Sequence, residues 1–241
     1  MFIDIHHHMI YGIDDGAKSF EGTEKMIRDA VENEVDTIIT TPHITPGHAP
    51  FPFEDYEAHL EETRRFLAQQ NIPLKLYTGA EILYTSATPR LLQAGMVPTL
   101  AGSQFALVEF TPDDDYDYIL DAAMHIASAG FVPIIAHVER YEQVRKVAQI
   151  EELRRECNAM IQMNASTVVR KHSFFKERWV RRILSEGLID FVASDSHDLP
   201  GRASRMRPAF DRLKADYGRE VAHKLTHGNA ARLILGGGDL S

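Results

Sequence analysis

The chain has 241 residues, with 26 Lys and Arg against 35 Asp and Glu, a formal net charge of -9. That acidic balance argues against general nucleic-acid binding, which shows a basic surplus. Its single cysteine, Cys157, excludes an intrachain disulfide and fits a reducing compartment. A composition of 44% hydrophobic and 25% charged residues is that of a globular protein able to bury a core without staples. No signal peptide opens the sequence, and no apolar run approaches the roughly 20 residues of a membrane span. The sequence therefore predicts a cytoplasmic chain with no membrane insertion.

In chain order, the β-branched stretch "FIDI" predicts a first strand. "FEGTEKMIRDAVENE" follows with helical spacing, opened by Ser19. The strand "VDTIITT" runs into the loop "ITPGHAPFPFED", placed over a barrel mouth, and then into the helix "FEDYEAHLEETRRFLAQQ" with Asp55 as its start. Next come the strands "LKLYTGAEI" and "FALVEF", the helix "DYDYILDAAMHIASAG" ending at Gly130, and the strands "FVPIIAH" and "AMIQMN". The helix "WVRRILSEGL" stops at Gly187 before the last strand, "LIDFVAS", and "ILGGGDLS" reads as a frayed tail. Strand and helix alternating every roughly 25 to 40 residues imply a parallel sheet covered by helices. Seven strands suggest an α/β barrel related to the (β/α)8 design, with an open doubly wound sheet as the alternative. No linker divides residues 1–241, which read as a single domain.

The residues that end these strands carry the chemistry. They are His6 and His8, His43, Glu81, Glu109, His137, Asn164, and then Asp195 with His197. In parallel α/β folds the carboxyl ends of the strands face the active site. Any one of these side chains alone is more simply a hydrogen-bonded structural group. Together on one rim, the carboxylates would repel unless cations neutralised them. Imidazole and carboxylate without thiolate is a ligand set for Mn, Fe or Zn. Alternation along a strand turns His6 and His8 to one side and His7 to the other, so His7 is expected to be dispensable for activity. "SDSH" repeats that spacing with Asp195 and His197.

Several other chemistries are absent. Cys157 has Met163, not Arg, six residues on, so it forms no cysteine phosphatase loop, and it reads as helix-packed and inert. There is no Gly-x-Ser-x-Gly elbow and no Gly-x-x-x-x-Gly-Lys-Ser/Thr loop. Arg140 and Arg202 follow His137 and His197 closely. An arginine beside cations needs an anion between them, and phosphate satisfies this through bidentate pairing. A surface ion pair is the alternative. His48, His59, His125, His172, His223 and His227 read as surface or packing residues.

The motifs "DIHHHMIYGIDDG", "TPH", "GAEI", "VEF", "AHVERY" and "SDSHDLPGR" resemble those of the polymerase and histidinol phosphatase (PHP) superfamily. "GIDDG" and "AHVERY" bring the chain closer to its bacterial branch of metal-dependent protein-tyrosine phosphatases, associated with capsular and extracellular polysaccharide synthesis. The resemblance implies a distorted TIM-like (β/α)7 barrel holding two or three metal ions, usually Mn2+. It implies His6, His8, Asp15, His43, Glu81, Glu109, His137, Asp195 and His197 as ligands, with Glu81 bridging. Asp15 comes from the resemblance alone, since it ends no strand. Arg140 and Arg202 would hold phosphate and take part in catalysis. The expected reaction is attack of metal-activated hydroxide on phosphorus, with the phosphotyrosine-bearing tail of a bacterial tyrosine kinase as substrate. A histidinol-phosphate or other small-molecule phosphoesterase, and a metal-dependent nuclease, are the alternatives.

Overall fold

The computed structural model describes residues 1–48, 50–197 and 201–236. Of the expected frayed tail "ILGGGDLS", Ile234 is helical, and the residues beyond Gly236 lie outside the described residues. Among the described residues nine strands appear where seven were expected. They are β1 (Phe2–His7), β2 (Val35–Thr40), β3 (His43–Ile44), β4 (Lys75–Thr78), β5 (Glu81–Leu83), β6 (Phe105–Glu109), β7 (Val132–Ile135), β8 (Met160–Asn164) and β9 (Phe191–Ala193). All pairings are parallel, in the orders β1-β2-β4 and β3-β5-β6-β7-β8-β9.

The two extra strands are halves of interrupted ones. β2 and β3 belong to "VDTIITTPHI", and β4 and β5 to "LKLYTGAEIL". Pro42 has no N–H for the ladder and breaks the first. At Gly79 the backbone packs so closely that a Cβ would meet the Ile39 side chain at 2.8 Å and the Leu100 side chain at 3.0 Å. The breaks fall side by side, and Glu81 N–H donates to the Pro42 carbonyl at 3.1 Å. So His43 and Glu81 do not end strands, contrary to the expectation from sequence. They open the short second halves, at a bend in the wall.

Seven staves therefore line up, and the last meets the first. His7 bridges Ser196, Asp195 N–H donates to His6 O at 2.9 Å, and His8 N–H donates to Ser196 O at 2.8 Å. This closure decides for a distorted barrel over an open sheet. It is narrow because β9 has only three residues. Around it lie α1 (Phe20–Glu32), α2 (Phe53–Gln69), α3 (Thr88–Gln93), α4 (Tyr116–Ser128), α5 (Val147–Cys157), α6 (Ala165–Val169), α7 (Phe174–Ser185), α8 (Met206–Tyr217), α9 (Arg219–His223) and α10 (Asn229–Ile234).

Helix boundaries follow their local chemistry. Ser19 caps α1, its hydroxyl accepting Gly22 N–H. Helix α2 begins at Phe53 rather than Asp55, with Pro52 at the N-cap. Asp55 instead lies in the first turn, where its charge complements the helix dipole. Gly130 and Gly187 lie just past the ends of α4 and α7, as expected. Cys157 closes α5, is buried, and has its thiol pushed up to about 11 by that burial, which fits an inert packing residue.

Inside the barrel, Ile3, Ile5, Ile39, Phe105, Leu107, Ile134, Ala136, Phe191 and Ala193 form one apolar cluster. A larger cluster lies between the barrel and the helices. His7 is fully buried, and neither ring nitrogen has a hydrogen-bond partner among the described residues. Burial and the neighbouring imidazoles lower its pKa to about 3, so the ring is neutral. His7 thus turns away from the rim as expected, but into packing rather than solvent. His7→Met, close in volume and apolar, is expected to keep the turnover that the resemblance implies within about threefold and to keep or raise Tm. His6→Ala should abolish turnover. Equal loss in both variants, measured with an aryl phosphate, would show that the strand's facing has been misread.

Candidate metal centre

The rim at the carboxyl ends of the staves gathers the expected side chains. His6 belongs to β1 and His8 follows it, and their Nε2 atoms point at each other 3.1 Å apart. Glu81 sits between them. Its Oε2 lies 3.0 Å from His6 Nε2, 3.2 Å from His8 Nε2 and 3.2 Å from His43 Nδ1, while Oε1 lies 2.7 Å from His137 Nε2. Glu109, the last residue of β6, reaches His43 Nδ1 at 2.9 Å. On the other side, Asp195 Oδ1 is 3.6 Å from His6 Nε2 and 3.4 Å from His197 Nδ1.

Three sets of donor atoms converge to within 4.8 Å: His6, His8, Glu81 and Asp195; His8, Asp15, His43 and His197; and His43, Glu81 and Glu109. The sets share His8, Glu81 and His43, so they form one continuous cluster. Eight of the nine expected ligands are in these sets. The ninth, His137, lies outside them but against Glu81 Oε1 and 3.7 Å from Glu109 Oε2. Imidazole and carboxylate donors facing one another at these separations fit a group of divalent cations, and no thiolate intrudes.

Two of these residues adopt left-handed backbone conformations, His137 at φ 32° and Asp195 at φ 51°. Each lies two residues beyond its strand, β7 or β9. The conformation costs a non-glycine residue about 1–2 kcal/mol. It is held by the barrel: His137 N–H donates to Gln162 Oε1 at 2.7 Å, and Asp195 N–H to His6 O. The turn aims both side chains back across the rim.

The carboxylates and imidazoles of the cluster shift one another's protonation. Burial pushes the Glu81 carboxyl up, but the His6 charge and hydrogen bonds from His137, His6 and His8 hold it well below the usual carboxylate range. Asp195 is likewise raised by burial and lowered further by His6 and Arg140, ending below its ordinary value. Burial disfavours the His8 imidazolium, yet its hydrogen bonds to Asp14 and Glu81 raise it to about 10. Burial lowers His197 to about 3, helped by the His8 charge.

Several residues that the strand-end reasoning passed over contact the candidate ligands and fix their orientation. Asp14 Oδ2 accepts from His8 Nδ1 at 2.7 Å and from His43 N–H at 3.1 Å, leaving His8 Nε2 to face the cluster. Burial raises the Asp14 carboxyl, but these contacts and Gly16 N–H overcome it and hold it at about 2. Gly16 makes the arrangement possible, because a Cβ there would meet His8 O at 2.0 Å. "GIDDG" therefore folds tightly onto the end of β1, with Asp14 on His8 Nδ1 and Asp15 against His197 and His43. Asp15 is the more exposed acid, and its Oδ1 is 3.0 Å from His197 Nε2 and 3.3 Å from His43 Nε2. Gln162 Oε1 lies 3.3 Å from His6 Nδ1, and the Tyr141 hydroxyl 3.2 Å from His137 Nδ1. Partners on the far nitrogen fix ring orientation in metal sites. Asp14→Asn should weaken metal affinity about 10- to 100-fold with the fold intact. Metal titration followed by activity would detect it, and unchanged affinity would remove Asp14 from that role.

Arg140 and Arg202 both turn to Asp195. Arg140 pairs with Oδ2, and Arg202 Nη2 with Oδ1 at 2.6 Å. Arg202 Nη1 also lies 3.8 Å from Asp15 Oδ2. The anion between arginine and cluster is thus a carboxylate of the protein. Asn164 adds a third donor, its Nδ2 2.7 Å from Asp195 Oδ2. Asp198, Leu199 and Pro200 of the "SDSHDLPGR" motif lie outside the described residues.

A family model for capsular polysaccharide synthesis, CpsB/CapC, matches residues 2–235. The chain belongs to the CpsB/CapC family. Among CpsB/CapC relatives, the tyrosine-protein phosphatase CpsB of Streptococcus pneumoniae is 31% identical over 240 residues, spanning 97% of this chain and 98% of that protein. Crystal structures of YwqE from Bacillus subtilis and CpsB from Streptococcus pneumoniae, described as unique metal-dependent tyrosine phosphatases, include a chain that superposes with a TM-score of 0.86. It is 28% identical, with 97% of this chain and 94% of that one covered. Histidinol phosphate phosphatase from Lactococcus lactis, solved with zinc, L-histidinol and phosphate, superposes with a TM-score of 0.60. At 14% identity, with 95% and 97% of the two chains covered, it shows a shared fold. Among the described residues no helix of this CpsB/CapC chain is long and apolar enough to cross a membrane.

Proposed function

We propose that this chain is a metal-dependent protein-tyrosine phosphatase. The observation that carries the reading is the position of Asp195, which faces the imidazole and carboxylate cluster on one side and Arg140 and Arg202 on the other. A phosphoryl group seated there meets cations from both directions. His6, His8, Asp15, His43, Glu81, Glu109, His137, Asp195 and His197 would hold two or three ions. Mn2+ is the metal we favour, with Fe and Zn suited to the same donors. Bound divalent cations supply Lewis acidity toward phosphoryl oxygens and lower the pKa of water at the site.

The protein's own contribution is positioning and charge. Each guanidinium has five N–H donors. Arg140 and Arg202 direct only part of them at Asp195, and the remainder bind the equatorial phosphoryl oxygens, where charge builds in the transition state. The rim is open on this side, with the Arg140 and Arg202 side chains 40% and 36% exposed, so a phosphotyrosine on a flexible chain can reach it. The leaving phenolate ionises near pH ~10 and departs more readily than an alkoxide. The physiological substrate in this reading is the phosphotyrosine-bearing tail of a bacterial tyrosine kinase controlling polysaccharide synthesis in the cytoplasm. The family's role in capsular polysaccharide synthesis and the tyrosine phosphatase activity of its relative CpsB support it.

The test is a metal-reconstituted activity comparison. A phosphotyrosine peptide should be hydrolysed with a kcat/KM on the order of a hundredfold above histidinol phosphate, through contacts to the aryl group and peptide. Single-stranded DNA should remain uncut. The reverse preference would assign a small-molecule phosphoesterase, and cleavage of DNA a nuclease.

A further inference from the structure

Beside Asp195 the rim opens into a cleft of about 340 Å3. Arg140 and Arg202 line it, and so do Arg170, Lys176 and Arg205. These last three come from separate elements. Arg170 closes α6, Lys176 is in the first turn of α7, and Arg205 immediately precedes α8. Charges along one helix are usually a solvated face, but three elements converging on one hollow make a site. Arg170 and Arg205 are exposed and Lys176 is half-buried. Among the described residues none of the three is in direct contact with a carboxylate, although the Arg205 charge acts on nearby Asp29.

The carboxylates lining the cleft do not neutralise these cations. They are Glu139 and Asp195, both buried. Glu139 Oε1 already accepts Asn164 N–H at 3.0 Å and the Thr167 hydroxyl at 2.9 Å. Asp195 is occupied by Arg140, Arg202 and Asn164. In a chain of net charge -9, this hollow is lined, among the described residues, by five cations against two engaged carboxylates. Like charges gathered in a cleft focus a field that favours an anion. A single phosphoryl group held by Arg140 and Arg202 leaves the other three cations unanswered.

We propose that Arg170, Lys176 and Arg205 bind a second anionic group flanking the phosphotyrosine on the same peptide, either an acidic side chain or a second phosphate. The proposal rests on the phosphatase reading above. It makes the cleft a specificity element for acidic, or multiply phosphorylated, segments.

The experiment compares three metal-reconstituted substrate classes. An aryl phosphate has no flank. Phosphotyrosine peptides with Gly and Ser flanks have a neutral one. Peptides with Glu scanned through the neighbouring positions, or with a second phosphotyrosine, carry the added anion. The quantity read is kcat/KM for each peptide relative to the aryl phosphate. The natural chain should prefer an anionic flank by about tenfold, and higher ionic strength should shrink the preference. In the triple variant Arg170→Ser, Lys176→Ser, Arg205→Ser the preference should fall to about one. The Glu and phosphate arms distinguish the source of the anion, and preference for either supports the proposal. If the aryl phosphate is hydrolysed but anionic flanks bring no advantage, or the triple variant keeps it, the proposal is overturned and the phosphatase reading stands. If no phosphate ester is hydrolysed, both fall together. If vesicles of phosphatidylglycerol bind the natural chain and not the variant, with peptide preference unchanged, the cations serve a membrane surface and the proposal is wrong.

Discussion

Replacing Asp195 by Asn lowers kcat/KM on an aryl phosphate on the order of a thousandfold or more. The carboxylate is the point where the candidate metal ligands meet Arg140 and Arg202. An amide of the same shape removes its negative charge, and its NH2 group would face donors of Arg140, Arg202 or Asn164. The stability loss should be far smaller than the activity loss. Both arginine side chains are more than a third exposed, so water takes over much of their solvation, and a cost of about 1–2 kcal/mol is expected. That corresponds to a fall in Tm of roughly 2–8 °C for a chain of this size. Turnover measured beside circular dichroism separates the two effects. Unchanged turnover in a folded variant would defeat the assignment of this rim as a catalytic centre.

The second large effect is expected at Glu81. It is buried and lies within 3.2 Å of nitrogens from His6, His8, His43 and His137. Glu81→Gln keeps the volume and removes the carboxylate that, alone among the described residues, reaches all four rings. Metal retained after gel filtration should drop to near zero, and turnover should fall on the order of a thousandfold. Because both partners are buried at His6, His8 and His137, the metal-free variant should also lose about 3 kcal/mol. Deprotonation of the rings limits the cost, since a neutral imidazole tolerates burial better than an imidazolium. Elemental analysis of the purified variant gives the decisive number. A full complement of metal in Glu81→Gln would mean that Glu81 does not hold the ions as proposed.

The legibility of this site varied with the range of the interactions involved. His6, His8, His43, Glu109, His137, Asp195 and His197 were visible because they follow apolar β-branched runs, and parallel barrels present those ends on one face. Glu81 was found by the same rule, although the chain breaks before it at Gly79 and restarts. Asp15 ends no strand and emerged only through the family motif. Asp14 beside it shows why. The loop's value lies in a fold-back onto His8 that requires Gly16, and no periodicity reports such a contact. Gln162 stands 156 positions from His6, and the amide of a β8 residue carries no signal that it will support a histidine of β1. The arginines were legible as neighbours of the ligands, but their pairing with Asp195 was not.

What the sequence determined by itself is local. Alternation along β1 turns His6 and His8 one way and His7 the other, Ser19 caps α1, and the acidic balance weighs against nucleic acid, because each depends on residues near in the chain or on composition alone. What the tertiary structure decided is closure and convergence. The His7–Ser196 bridge makes a barrel from strands that could equally form an open sheet, the left-handed turns at His137 and Asp195 aim those side chains inward, and three elements bring Arg170, Lys176 and Arg205 to one cleft. Each of these joins residues far apart in sequence, and their spacing is set by the packing of the whole core rather than by any stretch of chain.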